Sequence, residues 1–288
     1  MDNPISDAAV ADAFPDLTFS STALSPGGMK NAYRASSPEC DDLVLKIVRQ
    51  PLEPDEEGRP TVPERLRREL ESMARVSHPR VVRILSGPDV RVIDGATRLW
   101  YTEPFVSGGD LSQHLGEPWP ESDVLELGAG LMEGAEVLWS AGIVHRDIKP
   151  ANIALDDGRA PVLLDLGIAL VTDLSSLTAS EMGSPRTDRY AAPEQFEPRG
   201  RVKLDFRTDL FAIGMVMFEA LCGCHAFDAD HPDGYLHRLF NGEWERHRLR
   251  EVATSRDTMA LLDRLLAPRQ NQRFRLMPQA RDALEGCR

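Results

Sequence analysis

Hydrophobic and polar positions along the chain change period once. In the first third they come as short strand-like runs at Leu17–Ser20, Asn31–Ala35, Asp42–Val48, Val81–Leu85, Val90–Ile93 and Arg98–Glu103, which predict strands. Ser25-Pro26-Gly27-Gly28 punctuates the first two of these runs as a turn. One helical stretch interrupts them, Glu64 to Val76, where Leu66, Leu70 and Met73 share a stripe. After Gly108-Gly109 the spacing turns helical. Glu121 to Ala141 predicts a long amphipathic helix, with Val124, Leu125, Leu127, Leu131, Met132 and Val137 among its apolar positions. Further helices are predicted around Thr208–Leu221, Tyr235–Leu239, Asp257–Leu266 and Pro278–Leu284, and short strands at Ile153–Leu155 and Val162–Leu164. Strands first and helices later predict an α+β chain with two unlike lobes rather than an alternating parallel sheet. Residues up to about Phe14 are small, polar and acidic and read as a loose N-terminal extension. Pro51 to Pro63, rich in Pro, Glu and Asp, reads as a surface insertion.

Composition narrows the partners. A length of 288 residues suits one two-lobed domain, and 42% hydrophobic with 27% charged residues is ordinary for a globular protein. The net charge of -13 supplies no basic excess to release counterions, which argues against nucleic acid or an anionic membrane as the main partner. The four cysteines show no metal or disulfide spacing: Cys222 and Cys224 fall on different faces of a predicted helix, and Cys40 and Cys287 stand alone. The acidic start, Met1-Asp2-Asn3-Pro4, lacks the basic and apolar blocks of a signal peptide. The most apolar stretch, Leu210 to Cys222, is too short to span a bilayer and carries Glu219. A cytoplasmic protein without a membrane anchor is the expectation.

Chemistry concentrates in His145-Arg146-Asp147-Ile148-Lys149-Pro150-Ala151-Asn152, followed by Asp165-Leu166-Gly167. Asp147 can accept a hydroxyl proton, Lys149 can meet phosphate oxygens, and Asn152 and Asp165 offer the oxygen ligands that Mg²⁺ prefers. Phosphoryl transfer needs this kind of positioning and charge neutralisation. The stretch between Asp147 and Asp165 has room for a strand, a turn and a returning strand that bring the second carboxylate beside the first. Lys46, in Leu43-Val44-Leu45-Lys46-Ile47-Val48, shares a strand face with Val44 and Val48, where a cation is costly unless paired or facing phosphate.

Together these motifs resemble the eukaryotic-type (Hanks-type) serine/threonine protein kinases, in the manner of a bacterial stand-alone member, over nearly the whole chain from about Leu17. The resemblance implies a bilobal protein kinase fold: an extension over residues 1–16, then a kinase domain over 17–288. Its small antiparallel lobe with one main helix would cover about 17–103, the hinge about 102–109 and the larger helical lobe about 110–288. It implies Asp147 as catalytic base, Lys149 on the transferring phosphate, and Asn152 and Asp165 as ligands of Mg²⁺, with Mn²⁺ as the alternative. Lys46 would hold the α- and β-phosphates of ATP, paired with Glu69, nine residues before His78. Thr187 would touch Asp147 and Lys149, Asp209 would brace the catalytic loop, and Glu194 of Ala192-Pro193-Glu194 would pair with Arg273.

The glycine-rich loop departs from the family pattern. Ser25-Pro26-Gly27-Gly28-Met29-Lys30-Asn31-Ala32 keeps the middle glycine as Gly27, with Ser25 and Lys30 at the outer positions and Ala32 in place of a Val against adenine; Lys30 reads as a direct phosphate contact or as an exposed turn lysine, the second preferred. Ser25, Gly27, Gly28 and Ala32 are the nucleotide residues implied there. In the hinge, Trp100-Tyr101-Thr102-Glu103-Pro104-Phe105, the gatekeeper is Thr102 or Glu103, with Thr102 preferred, and backbone groups as far as Phe105 are expected to bind adenine. Arg146 commonly meets a phosphorylated activation segment, for which Ser175, Ser176, Thr178, Ser180 and Ser184 are candidates. The implied activity is transfer of the ATP γ-phosphoryl group to Ser/Thr hydroxyls of protein substrates, with a transient homodimer for autophosphorylation. The competing reading is a pseudokinase scaffold, motivated by Ser25 and Lys30; a small-molecule phosphotransferase is disfavoured by Thr187 and Asp209.

Overall fold

Strand-like runs in the first third of the chain close into one antiparallel sheet. The computed structural model describes residues 5–20, 30–52, 71, 74–165, 189–198, 202–229 and 231–288, which group into two units. The first unit takes described residues up to His78 and 82–106; the second takes 79–81 and those from Ser107 on. In the first, β1 (Thr18–Phe19), β2 (Lys30–Ser37), β3 (Cys40–Val48), β4 (Ser86–Ile93) and β5 (Ala96–Pro104) stand in the order β1-β2-β3-β5-β4. Central β3 is buried at every position from Leu43 to Val48, so both of its faces are covered.

One cover is unexpected. Residues up to Phe14, read as a loose extension, contain helix α1 (Asp7–Ala13), capped by Ser6, whose Oγ accepts the Ala9 N–H at 3.2 Å. Ile5, Val10 and Phe14 are buried with Tyr33, Leu45, Ile47 and Ile93 of the sheet. The Phe14 ring stands edge-on to Trp100 at 5.0 Å, and the Arg91 guanidinium lies 4.6 Å from the Phe14 centroid. A short helix with two apolar anchors four residues apart, Val10 and Phe14, is too small a periodic signal to stand out among Asp and Ala.

The second unit is mostly helical: α2 (Glu121–Ser140), β6 (Ile153–Leu155), β7 (Pro161–Leu163), α3 (Phe206–Cys222), α4 (Pro232–Asn241), α5 (Arg248–Glu251), α6 (Arg256–Leu265) and α7 (Met277–Glu285). Helix α3 is its spine, with Thr208, Asp209 and every residue from Leu210 to Phe218 buried, and α2 and α6 pack against it. Gly134 lets α2 approach closely, because a Cβ there would lie 2.9 Å from the Arg80 carbonyl and from Leu163. Gly223, at φ 67°, ends α3 in the left-handed conformation, so Cys224 lies beyond the helix that also carries Cys222. The strand expected at Val81–Leu85 is absent. Val81 makes an isolated bridge to Leu163, while the Leu85 N–H donates to Thr102, so this apolar run serves two partners instead of one ladder. No helix among the described residues is long and apolar enough to cross a membrane.

Because Phe14 is buried against the sheet, Phe14→Ala is expected to lower unfolding free energy by ~3 kcal/mol. Urea unfolding of the full chain checks this; a loose extension would show no change.

Candidate active site

The second unit holds the candidate catalytic loop from below. Asp209, 1% exposed in α3, accepts the N–H of His145 at 2.9 Å and of Arg146 at 2.8 Å. Burial pushes its carboxyl above the ordinary range, and His145, Arg146 and the two amides oppose that shift. Turning two consecutive amides to one carboxylate puts Arg146 at φ 68°, an unusual conformation for a residue with a side chain. Gln195 fixes the same residue from the other side, its Nε2 donating to the Arg146 carbonyl at 2.8 Å. His145 donates from Nε2 to the Leu164 carbonyl at 2.8 Å, joining the loop to the end of the β6–β7 hairpin.

Asp147 then stands half-exposed with its carboxylate held by two neighbours. Lys149 Nζ lies 2.9 Å from both oxygens, and Asn152 Nδ2 donates to Oδ2 at 2.7 Å and to the Asp147 carbonyl at 2.9 Å. Asn152 ends a 3-10 turn that leads into β6, and its carbonyl accepts the Leu164 N–H at 2.9 Å. Asp165 follows directly, at φ 57°. The hairpin thus carries Asn152 at one end and Asp165 at the other, as the spacing predicts. With Nδ2 used on Asp147, Asn152 presents Oδ1, and Asp165 presents a carboxylate: hard oxygen donors of the kind Mg²⁺ takes.

Elsewhere in the second unit lie groups to which sequence reading gave no role in the site. Tyr190 donates its hydroxyl to Glu219 of α3; burial, then the Glu219 charge, raises the phenol, and burial raises the Glu219 carboxyl. The Arg189 carbonyl accepts from Tyr235 at 2.6 Å and from His225 Nε2 at 2.9 Å, while His225 Nδ1 accepts the Phe227 N–H at 3.2 Å. Burial, then the Arg189 charge, pushes His225 down to about 4. Only their place just before and after recognisable motifs could have hinted at these residues. The expected Glu194–Arg273 pair is present and bidentate, at 2.7 and 3.0 Å. Arg273 is buried completely, also donates to the carbonyls of Ala267 and Arg207, and has its guanidinium 4.6 Å from the Phe211 centroid. Thr208 Oγ1 donates to Glu194 at 2.9 Å.

In the first unit, Lys46 Nζ lies 2.7 Å from Glu103 Oε2, with both side chains buried. The register explains the pairing. Lys46 stands opposite Ala32 and Tyr101, and Glu103 opposite Val44, so all five share one face of the sheet. Thr102 stands opposite Leu45 on the other face, which corrects its assignment as gatekeeper: the position beside Lys46 belongs to Glu103. Of the Phe105 backbone groups expected to meet adenine, the N–H donates to the Asp42 carbonyl at 3.1 Å and is committed to β3. Lys30 is half-buried rather than an exposed turn lysine, and its Nζ donates to the Tyr101 hydroxyl at 3.1 Å. Ser25, Gly27, Gly28, Glu69 and Thr187 lie outside the described residues.

Comparison with known proteins places the chain in a family. A family model described as protein kinase domain matches residues 23–284. The chain belongs to the protein kinase domain family. This kinase domain is 33% identical over 225 residues to the serine/threonine-protein kinase pkn3 of Myxococcus xanthus, covering 74% of this chain and 39% of that protein. It is 32% identical over 223 residues to the DNA damage-responsive serine/threonine-protein kinase RqkA of Deinococcus radiodurans, covering 75% and 31%. With the serine/threonine-protein kinase PknB of Mycobacterium leprae the identity is 28%, over 88% of this chain and 40% of that protein. The kinase domain therefore spans between 31% and 40% of the length of these relatives. The crystal structure of Rad53 1-466 in complex with AMP-PNP shares its fold, with a TM-score of 0.73 at 22% identity, over 93% of this chain and 65% of that one.

Arg273→Met leaves Glu194 buried without its cation and is expected to lower unfolding free energy by ~3–5 kcal/mol, measured in urea. His225 supplies a pH signature. Its folded value of about 4 lies below the unfolded value near 6.5, so its contribution is complete above about 6.5 and is lost as pH falls toward about 4. The melting temperature of His225→Gln is therefore expected to fall less steeply than that of the parent chain across this window.

Proposed function

We propose that this kinase domain transfers the γ-phosphoryl group of ATP to serine or threonine hydroxyls of protein substrates. The observation that carries the reading is the Asp147 carboxylate held between Lys149 and Asn152 on a loop that Asp209 clamps. Asp147 accepts the hydroxyl proton as the substrate oxygen forms its bond to the γ-phosphorus and the bond to the β-phosphate oxygen breaks, leaving ADP. Lys149 already touches Asp147, so its ammonium can also meet the oxygens of the transferring group without a large movement. Lys46 neutralises phosphate charge. Mg²⁺ bound by Asn152 and Asp165 would supply further neutralisation of the nucleotide phosphates.

The Arg146 Nε is buried without a hydrogen-bond partner among the described residues, which supports an anionic partner such as a phosphorylated Ser or Thr of the segment after Asp165. Autophosphorylation through a transient homodimer and a cytoplasmic location fit the same reading. The pseudokinase alternative gains nothing from Lys30, whose ammonium has a hydroxyl partner in the sheet.

Incubation of the full chain with Mg²⁺ and γ-labelled ATP, followed by mass spectrometry, is expected to place label on Ser or Thr. Asp147→Asn and Asp165→Asn are each expected to lower transfer by roughly 10³-fold or more while leaving the melting temperature near that of the parent. ATP binding with no label on the chain or on a generic basic protein would overturn the reading.

A further inference from the structure

A buried carboxylate stands beside Lys46 within the sheet itself. Glu103 belongs to β5, yet its Oε2 lies 2.7 Å from the Lys46 ammonium, with side-chain exposures of 3% and 8%. Hydrogen-bonded neighbours fix the two strands against each other, with Leu45 opposite Thr102 and Ile47 opposite Trp100. Behind β3, Leu45 and Ile47 are packed under Val10 and Phe14. The pair therefore has no freedom to separate by moving a loop or a helix; only a rotamer change or sheet distortion would part it. Lysine has three donors, so Glu103 need not be its sole partner.

We propose that Glu103 is a positioning residue for Lys46: a sheet-borne carboxylate that aims the ammonium before nucleotide arrives. This deepens the proposed kinase reaction and rests on it for its kinetic consequence. The position of Lys46 is then built into the β3–β5 ladder, and does not depend solely on Glu69, the partner that the family resemblance implies. A nucleotide phosphate meets an ammonium already oriented and partly neutralised. Removing Glu103 misaligns charge stabilisation in the transition state more than it weakens ground-state binding.

Two measurements on the full chain test this. In steady-state kinetics, Glu103→Gln is expected to lower kcat about tenfold while the KM for ATP stays within about threefold, and Glu103→Asp is expected to recover part of kcat. In thermal unfolding without nucleotide, Lys46→Met and Glu103→Met should each lower the melting temperature by roughly 5 °C or more, and the double variant should recover most of that loss. An inactive parent chain would sink the kinase reading, and the melting cycle alone would then decide whether Glu103 holds Lys46. Additive melting losses overturn the proposal, as does unchanged kcat in Glu103→Gln from an active parent. If a single variant fails to fold, a double variant that also fails counts against the pair, and one that folds supports it.

Discussion

Two backbone amides of the catalytic loop, those of His145 and Arg146, end on the single buried carboxylate of Asp209, and the geometry of the second unit depends on that convergence. Without an acceptor inside α3, two adjacent N–H groups would be left unsatisfied, and Arg146 would have no reason to remain at φ 68°. With it, the chain reverses sharply and delivers Asp147 to the surface of the loop, within reach of Lys149 and Asn152. His145 then ties the loop to Leu164, one residue before Asp165. A carboxylate deep in a helix thus sets the position of a second one, that of Asp147, by holding the backbone that precedes it.

Buried charge is handled the same way elsewhere. Arg273 enters the interior because Glu194 and backbone carbonyls meet its donors, even though burial lowers its proton affinity. Lys46 enters the sheet beside Glu103. Such pairs add little net stability, since desolvation offsets most of the attraction, but they penalise any arrangement that separates them. They locate an element more than they strengthen it.

Legibility from the primary structure followed the strength of each local signal. The runs that form β3 and β5 and the long stripe of α2 are visible because burial selects apolar residues at many positions at once. The hairpin between Asn152 and Asp165 follows from spacing alone. Helix α1 escaped because its burial rests on Ile5, Val10 and Phe14 against a sheet built later in the chain. Val81–Leu85 looked like a strand because an apolar run does not say whether its partners form one ladder. Near Thr102 and Glu103 a one-residue ambiguity mattered most, since successive residues of a strand face opposite sides. The pleat put the threonine against Leu45 and the glutamate beside Lys46, and the same register committed the Phe105 N–H to Asp42.

The amino-acid sequence by itself determined the order of strands before helices, the hairpin with Asn152 at one end and Asp165 at the other, and the Glu194–Arg273 anchor. Those features depend on residue type and spacing, which are properties of one dimension. Only the tertiary structure decided that Glu103 partners Lys46, that α1 backs the strand carrying Lys46, and that Tyr190, Glu219 and His225 gather beside the Ala192-Pro193-Glu194 segment. Each of these rests on which face of an element meets which neighbour, and that is set by register and packing between segments far apart in the chain.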